Sequence, residues 1–177
     1  MFRALSLLML AAWLAAIPSR GAAQEVYGGV LAHGVNTPFT IDVGERGVDL
    51  QAGVRFDEVD SLGGGQPHVF GSVNLSGDTS FVGAGVTWKA EIGPIYLRPG
   101  IGLIVHDGPE RRIRYNPLMR TDLGSRVLFA PELGIGYDID ERWSVEATWV
   151  HMSHARVFDS EQNPGIDMMG VRVNFRM

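Results

Sequence analysis

Apolar and polar residues alternate along most of this chain, and this alternation restricts the possible folds more than any other feature of the sequence. Between Ile95 and His106 the odd-numbered positions are all apolar, whereas the even-numbered positions include Tyr, Arg, Gly and His. A period of two residues is typical of a β-strand. Eight such runs, separated by segments rich in Gly, Pro, Asn and Asp, predict strands at 25–36, 45–56, 67–77, 79–92, 94–106, 125–139, 142–155 and 165–177.

The predicted strands have the length of tilted strands that cross a bilayer, which need about 9–11 residues. Ser76-Gly77-Asp78 and the segment 139–142 predict tight hairpin turns, so the strands that they join are antiparallel. No internal repeat or second domain is evident. Four connections are longer, at 37–44, 57–66, 107–124 and 156–164.

One face of the predicted strands is apolar, and the other mixes charged residues with glycine. A soluble lipocalin-like barrel turns its apolar face inward and a membrane barrel turns it outward, so periodicity alone leaves both open. The lumen of an eight-stranded barrel is narrow and filled by side chains, which suits glycines beside long residues. Four charged residues of the polar face would then pair inside the barrel: Arg98, Glu132, Glu146 and Arg172.

Aromatic residues near the predicted strand ends fit the girdles that outer-membrane barrels place at the bilayer interfaces. These residues are Trp88, Tyr137, Trp143, Trp149 and Phe175. The sequence therefore predicts an all-β fold, an eight-stranded antiparallel transmembrane β-barrel of the outer-membrane type, whose filled lumen is not a pore.

The N-terminus has the order of a secretory signal peptide. Arg3 precedes an apolar run over 4–16, and Pro18 and three small residues follow, ending at Ala23. The run is too short to span a bilayer comfortably as a helix, which needs about 20 apolar residues. We expect cleavage after Ala23, which gives a signal peptide at 1–23, a barrel domain at 24–177 and a location in the bacterial outer membrane.

Composition excludes several classes of chemistry. The chain has no Cys, so neither disulfides nor thiolate chemistry is available to it. Its formal net charge of −5 argues against indiscriminate binding of nucleic acid. The acidic segment 138–141 is typical of a hairpin turn, and we expect neither a metal nor a cofactor. His33, His68 and His106 are scattered and are interpreted as structural.

Three polar residues break the apolar face near one rim of the barrel. His151 and Ser153 continue the apolar parity of the seventh strand, and Asp167 lies on the same parity at the start of the eighth. Antiparallel pairing would bring Asp167 beside His151. Serine becomes a nucleophile when a base takes its proton, and that base needs a third group to orient it. These residues are therefore candidates for a catalytic triad, although polar residues at a strand end can also simply mark the membrane boundary.

The segments His151-Met-Ser-His-Ala155 and Asn163-Pro-Gly-Ile-Asp167 together resemble the C-terminal signature of the lipid A 3-O-deacylase (PagL) family. The resemblance implies an eight-stranded outer-membrane barrel with an exterior Ser-His-acid triad that removes the 3-linked acyl chain of lipid A. Carried over by position, it makes Ser153 the nucleophile, His151 the general base and Asp167 the orienting acid.

Two positions depart from the pattern of that family. Asp167 stands where the best-known members have Glu, and His154 stands where they commonly have an Asn credited with binding the oxyanion. An imidazole can also donate a hydrogen bond, so we expect His154 as a possible oxyanion donor. By strand alternation, the side chain of His154 is expected to point into the lumen. A bend at the strand end is therefore required to turn it toward Ser153.

The predicted function is therefore a serine esterase that acts on lipid A or lipopolysaccharide in the outer leaflet. A non-catalytic barrel with a structural or adhesive role is the alternative. The loop 107–124 adds four basic residues that could contact lipid A phosphates, although an ordinary solvated loop would look the same: Arg111, Arg112, Arg114 and Arg120.

Overall fold

A computed structural model describes residues 23–38, 40, 44–109, 123–155, 157 and 163–177. Residues 1–22, and with them most of the predicted signal peptide, lie outside the described part of the chain, so the cleavage site stays a prediction. No helical segment in the described ranges has the length and apolar character needed to cross a membrane.

The predicted barrel is confirmed. Its strands are β1 (Ala23–His33), β2 (Gly47–Phe56), β3 (Gln66–Asn74), β4 (Phe81–Thr87), β5 (Ala90–Ile92), β6 (Ile95–His106), β7 (Val127–Asp138), β8 (Trp143–Ser153) and β9 (Gly165–Arg176). A single 3-10 turn at Asp60–Leu62 lies between β2 and β3. Every pairing is antiparallel, and the sheet closes because β1 pairs with β9 while β4 pairs with β6.

The segments β4 and β5 together form the fourth of the eight predicted strands, at 79–92. Both pair with β6 in one register, and Trp88 still donates its backbone N–H to the carbonyl of Pro99. Proline has no N–H to return that hydrogen bond. The interruption at 88–89 is therefore a missing hydrogen bond of the ladder and not a change of strand direction. Because β4 and β5 count as one strand of the wall, the barrel has eight strands.

The burial pattern assigns the two faces of the wall. Along β6, odd-numbered side chains from Ile95 to Val105 are exposed, while Tyr96, Arg98 and His106 are buried. An apolar exterior of this kind suits a hydrocarbon solvent and not water. The lipocalin-like interpretation, which turns the apolar face inward, is therefore wrong.

Ion pairs fill the half of the lumen nearer the N-terminus. The guanidinium of Arg172 donates to Glu132 at 2.7 Å and to Glu146 at 3.3 Å, as the sequence predicts. Arg98 pairs with Glu25 and lies beside Glu146. Sequence analysis missed two members, Glu25 and Arg55, which hydrogen-bond each other in the same network.

Glycine makes room for long side chains in this lumen. A Cβ at Gly136 would lie 2.0 Å from Cζ of Tyr96, and one at Gly134 would lie 2.6 Å from Cδ of Glu146. Toward the other rim the lumen holds a layer of apolar side chains beside buried polar groups such as His33, Asp49 and His106. That layer contains Leu31, Phe81, Ile104, Leu123, Leu128, Met152, Ile166 and Met168, all buried.

The three scattered histidines lie in this interior. His33 hydrogen-bonds Glu45 and Asp49, His68 hydrogen-bonds Tyr27, and His106 bonds the carbonyl of Ser125. Their contacts agree with the structural role expected for them.

The predicted aromatic residues occupy both rims. Trp143 and Phe175 pack with ring centroids 4.7 Å apart and remain accessible near the rim that carries the termini. Trp88 donates its indole N–H to the carbonyl of Leu62. Trp149 is half-buried near the opposite rim, where β8 ends and β9 begins, and its indole contributes to the site described next.

Candidate active site

The candidate site lies on the outside of the barrel at the rim where β8 ends and β9 begins. Antiparallel register places His151 directly opposite Asp167 and Ser153 directly opposite Gly165. Because alternate residues of a strand share a face, His151, Ser153 and Asp167 all belong to the outer wall. The two adjacent strands thus bring Ser153 and His151 close to Asp167, which follows them in sequence by 14 and 16 positions.

The three side chains form a continuous hydrogen-bonded chain. The Nδ1 atom of His151 lies 2.8 Å from Oδ1 of Asp167, and its Nε2 lies 3.0 Å from Oγ of Ser153. A carboxylate only accepts hydrogen bonds, so Nδ1 carries the ring proton and Nε2 is free to accept from the serine hydroxyl. In this tautomer the imidazole can act as a base toward Ser153.

Burial shields the carboxylate and leaves part of the imidazole accessible. The Asp167 side chain is completely buried, whereas 14% of the His151 side chain is exposed. An ionised carboxylate on the lipid-facing wall is costly unless its oxygens are hydrogen-bonded. This cost explains why Asp167 has several donors.

Three donors besides His151 reach the Asp167 carboxylate. The indole Nε1 of Trp149 donates to Oδ1 at 3.1 Å, the hydroxyl of Thr40 donates to Oδ2 at 2.7 Å, and the hydroxyl of Thr37 donates to the same oxygen. Sequence analysis missed all three donors. The available signal was Thr37-Pro38 followed by Thr40, a turn-forming pattern with two hydroxyls in a connection expected to be only a loop.

The side chain of His151 extends over β9 because Gly165 leaves space for it. A Cβ at Gly165 would lie 2.7 Å from Cε1 of His151 and 2.9 Å from the carbonyl oxygen of Met152. On the other side, Pro131 of β7 lies opposite His151 in the β7–β8 register, and ladder pairing is interrupted there. Proline cannot donate the corresponding bond.

His154 is buried and does not contact the other three side chains through a hydrogen bond. Neither of its ring nitrogens has a hydrogen-bond partner within the described ranges. Just after it, Ala155 adopts a left-handed φ of 52° and the N–H of Val157 donates to the carbonyl of His154 at 2.9 Å. The oxyanion role of His154 stays a prediction.

The other expectations for the site concern phosphate contacts and metals. Arg111, Arg112, Arg114 and Arg120 lie outside the described residues. In the part of the chain that the structure describes, no cluster of His, Asp and Glu could hold a metal ion. In the acidic turn 138–141, Asp140 instead accepts hydrogen bonds from the backbone of Arg142 and Trp143, and these bonds lower the pKa of its carboxyl.

Comparison with known proteins relates this chain to a family. The family model for the lipid A 3-O-deacylases (PagL) matches residues 43–176. No curated protein sequence matches the chain.

Two solved structures share the fold. The crystal structure of the outer membrane enzyme PagL aligns with a TM-score of 0.62 and 17% identity, over 86% of this chain and 99% of that chain. The crystal structure of Neisserial surface protein A aligns with a TM-score of 0.57 and 10% identity, over 89% of this chain and 99% of that chain. At these identities the alignments support the barrel and not an activity.

Proposed function

This chain belongs to the lipid A 3-O-deacylase (PagL) family, and from that premise we propose that it is a serine esterase that removes an acyl chain from lipid A. Its location is the bacterial outer membrane. The observation that carries the proposal is the hydrogen-bonded chain from Asp167 through His151 to Ser153 on the outer wall. In this proposal Ser153 is the nucleophile, His151 the general base and Asp167 the orienting acid.

The proposed reaction proceeds in two halves. Nε2 of His151 takes the proton of Ser153 as Oγ attacks the ester carbonyl carbon of an acyl chain. The tetrahedral intermediate then breaks its bond to the sugar oxygen, which leaves as a hydroxyl with the proton from His151. A water molecule, deprotonated by the same nitrogen, attacks the acyl-serine and releases the fatty acid with Ser153 restored.

Asp167 acts on the reaction through His151. It fixes the tautomer of His151 through the 2.8 Å contact at Nδ1 and stabilises the imidazolium that forms when Nε2 is protonated. The four donors around its carboxylate support this role, because they fix the position of both carboxylate oxygens.

The position of the site on the outside of the wall matches a substrate embedded in the bilayer. With the N-terminus in the periplasm, the rim that holds Ser153 lies at the outer leaflet, where lipid A is found. Exposed apolar side chains on β6, β7 and β9, such as Leu103, Val127 and Met169, face the same hydrocarbon layer. An acyl chain can therefore approach Ser153 sideways without leaving the membrane.

His154 is the expected oxyanion donor in this proposal. Its support is its position next to Ser153, the left-handed turn at Ala155 and the two buried ring nitrogens that lack partners among the described residues. Loss of one oxyanion donor typically lowers kcat about 10²–10³-fold. His154→Leu should show such a loss while His154→Asn retains activity, and equal activity of the two variants would exclude the role.

The four arginines of the 107–124 loop remain proposed contacts for the lipid A phosphates. Planar guanidinium groups bind phosphate through paired hydrogen bonds, which suits a substrate with phosphorylated sugars.

The proposal is tested by mass spectrometry of lipid A from outer membranes that contain the wild-type protein, Ser153→Ala or Ser72→Ala. Ser72 is a suitable control because its hydroxyl is buried in the lumen without a partner among the described residues. We expect the wild-type and Ser72→Ala proteins to remove one ester-linked acyl chain, identified as the 3-linked chain by fragmentation. Unchanged lipid A in all three samples would contradict the function and favour a non-catalytic barrel.

A further inference from the structure

The connection between β1 and β2 reaches across the end of β9 to the Asp167 carboxylate. After β1 ends, the backbone N–H of Val35 donates to the carbonyl of Asp167 at 2.9 Å, so the chain follows β9 beyond the last ladder pair, His33 with Met168. The residues that come next, Thr37 and Thr40, then lie beside the side chain of Asp167. We call the described residues of this connection, 34–38, 40 and 44–46, the threonine loop.

A tight turn directs both hydroxyls to one oxygen. The N–H of Thr40 donates to the carbonyl of Thr37 at 3.3 Å, which closes a four-residue turn with Pro38 in its second position. Proline favours that position because its ring fixes φ near the value that the turn requires. The turn therefore places two hydroxyl groups at Oδ2 of Asp167.

Both ends of the threonine loop are fixed to the barrel. Gly34 has a left-handed φ of 67°, and a Cβ there would lie 1.8 Å from the carbonyl oxygen of Glu45, so the two limbs of the loop meet at this residue. The Glu45 carboxylate accepts from Nε2 of His33 at 2.9 Å and from the hydroxyl of Thr79 at 2.7 Å. The loop is thus held to β1 and to the connection before β4.

The donors divide equally between the two carboxylate oxygens. Oδ1 accepts from His151 and Trp149, and Oδ2 accepts from Thr37 and Thr40. A carboxylate has about four lone-pair sites, and here all four have donors. With Oδ2 fixed by the loop, rotation of the carboxylate away from His151 would break two hydrogen bonds.

We propose that Thr37 and Thr40 are positioning residues, which hold the Asp167 carboxylate in the orientation that His151 needs to activate Ser153. The inference rests on the proposed triad. The strands β8 and β9 supply the three side chains of the triad, and the threonine loop is the third structural element of the site because it fixes the acid. The hydroxyls act through Asp167 and do not touch the substrate.

The test compares Thr37→Val/Thr40→Val with Thr37→Ser/Thr40→Ser in the full-length protein in outer membranes. Valine keeps the shape of threonine and removes the donor, whereas serine keeps the donor. Thr148→Val is the matched control, because Thr148 lies on β8 with a buried hydroxyl that has no partner among the described residues. Folding of each variant is checked by heat-modifiable migration on gels.

Two rates are measured: labelling of Ser153 by a fluorophosphonate probe and release of fatty acid from lipid A. We expect the double valine variant to lose about 10–100-fold in both, less than the roughly 10⁴-fold typical of losing the acid itself. Its KM for lipid A should be unchanged, because no substrate contact is removed. The double serine variant and Thr148→Val should stay within a few-fold of the wild type.

The outcomes separate this inference from the proposed function. If the folded valine variant labels and deacylates like the wild type, the inference is overturned and the deacylase function stands. If labelling depends on the hydroxyls but lipid A is not deacylated, the inference stands and the lipid A assignment fails. Equal losses in the valine and serine variants would show that packing and not hydrogen bonding matters, which also overturns the inference.

Discussion

His151 and Asp167 are direct partners in the β8–β9 ladder, and their side chains meet on the outer wall at 2.8 Å. Directly opposed residues of antiparallel strands have Cβ atoms about 4.5–5.5 Å apart, so even a short aspartate reaches the imidazole. The short acid therefore reaches the imidazole within the regular β8–β9 register. The same ladder places Ser153 opposite Gly165, which leaves the space for the imidazole.

We expect Asp167→Asn to lower kcat about 10⁴-fold, because an amide can stabilise the wrong tautomer of His151 and provides no charge for the imidazolium. Asp167→Glu should also lose activity. The Asp167 side chain is fully buried between donors on both oxygens, and an added methylene must displace at least one of them.

Both variants are compared by fatty-acid release from lipid A, with fluorophosphonate labelling of Ser153 as the second readout. Wild-type activity in Asp167→Glu would show that the threonine loop tolerates the longer acid. Wild-type activity in Asp167→Asn would remove Asp167 from the triad.

Gly165→Ala is expected to inactivate the site without unfolding the barrel. The new Cβ would lie 2.7 Å from Cε1 of His151 and 2.9 Å from the carbonyl oxygen of Met152, so the imidazole must move away from Ser153 and the end of β8 must shift slightly. A displacement of about 1 Å can cost on the order of 10²-fold in rate. Gly28→Ala is the control, because a Cβ there meets nothing nearer than the carbonyl oxygen of Gln51 at 3.7 Å.

The readout for these glycine variants is the rate of Ser153 labelling in samples that show the same heat-modifiable migration. Equal labelling of Gly165→Ala and Gly28→Ala would mean that the ring can activate Ser153 from another position.

Arg172→Met should destabilise the barrel, because it leaves the Glu132 carboxylate buried without the donor at 2.7 Å. Removing one partner of a buried ion pair typically costs about 3–5 kcal/mol. Urea unfolding in lipid vesicles, followed by tryptophan fluorescence, measures the free energy of unfolding. Arg172→Met/Glu132→Gln should recover part of the loss, since the unpaired charge is gone; a further loss in the double variant would contradict this explanation.

Acid should loosen the threonine loop through Glu45. Burial acts to raise the pKa of the Glu45 carboxyl, but hydrogen bonds from His33 and Thr79 outweigh it, so its pKa is lowered from the ordinary value of 4.5. A lowered pKa in the folded state gives stability that is present above the ordinary pKa and is lost as the pH falls through the folded one. The Thr79 amide, which donates to Glu45 at 3.1 Å, reports on this contact.

The measurement is the protection of the Thr79 amide against hydrogen exchange, corrected for the intrinsic exchange rate at each pH. We expect this protection to be constant near neutral pH and to decrease when the pH is below about 4.5, because Glu45 is then protonated. In Glu45→Gln the protection should be lower at neutral pH and should vary little with pH. An identical pH dependence in the two proteins would assign the transition to another group.

Much of the fold follows from the sequence because the period of a strand is fixed by backbone geometry. The parity of Ile95 to Val105 against Tyr96, Arg98 and His106 predicts which residues face the lumen, and the burial pattern confirms it. Predicted pairing of Arg172 with acidic partners is also confirmed, since a charge inside a closed barrel must find a counterion. The break between β4 and β5 was not predicted, although the cause, Pro99 on the adjacent strand, is visible once the register is known.

The sequence by itself determined the strands of the barrel and the shared parity of His151, Ser153 and Asp167, because these depend on local alternation and on neighbouring antiparallel strands. It also indicated the outward apolar face, because glycines beside long side chains suit a narrow, filled lumen. Only the tertiary structure decided what surrounds the Asp167 carboxylate. Thr37 and Thr40 are separated from it by 130 and 127 residues, and they reach it because barrel closure pairs β1 with β9. Closure is a long-range event whose register no local pattern specifies, and the course of a connecting loop depends on the walls that it meets.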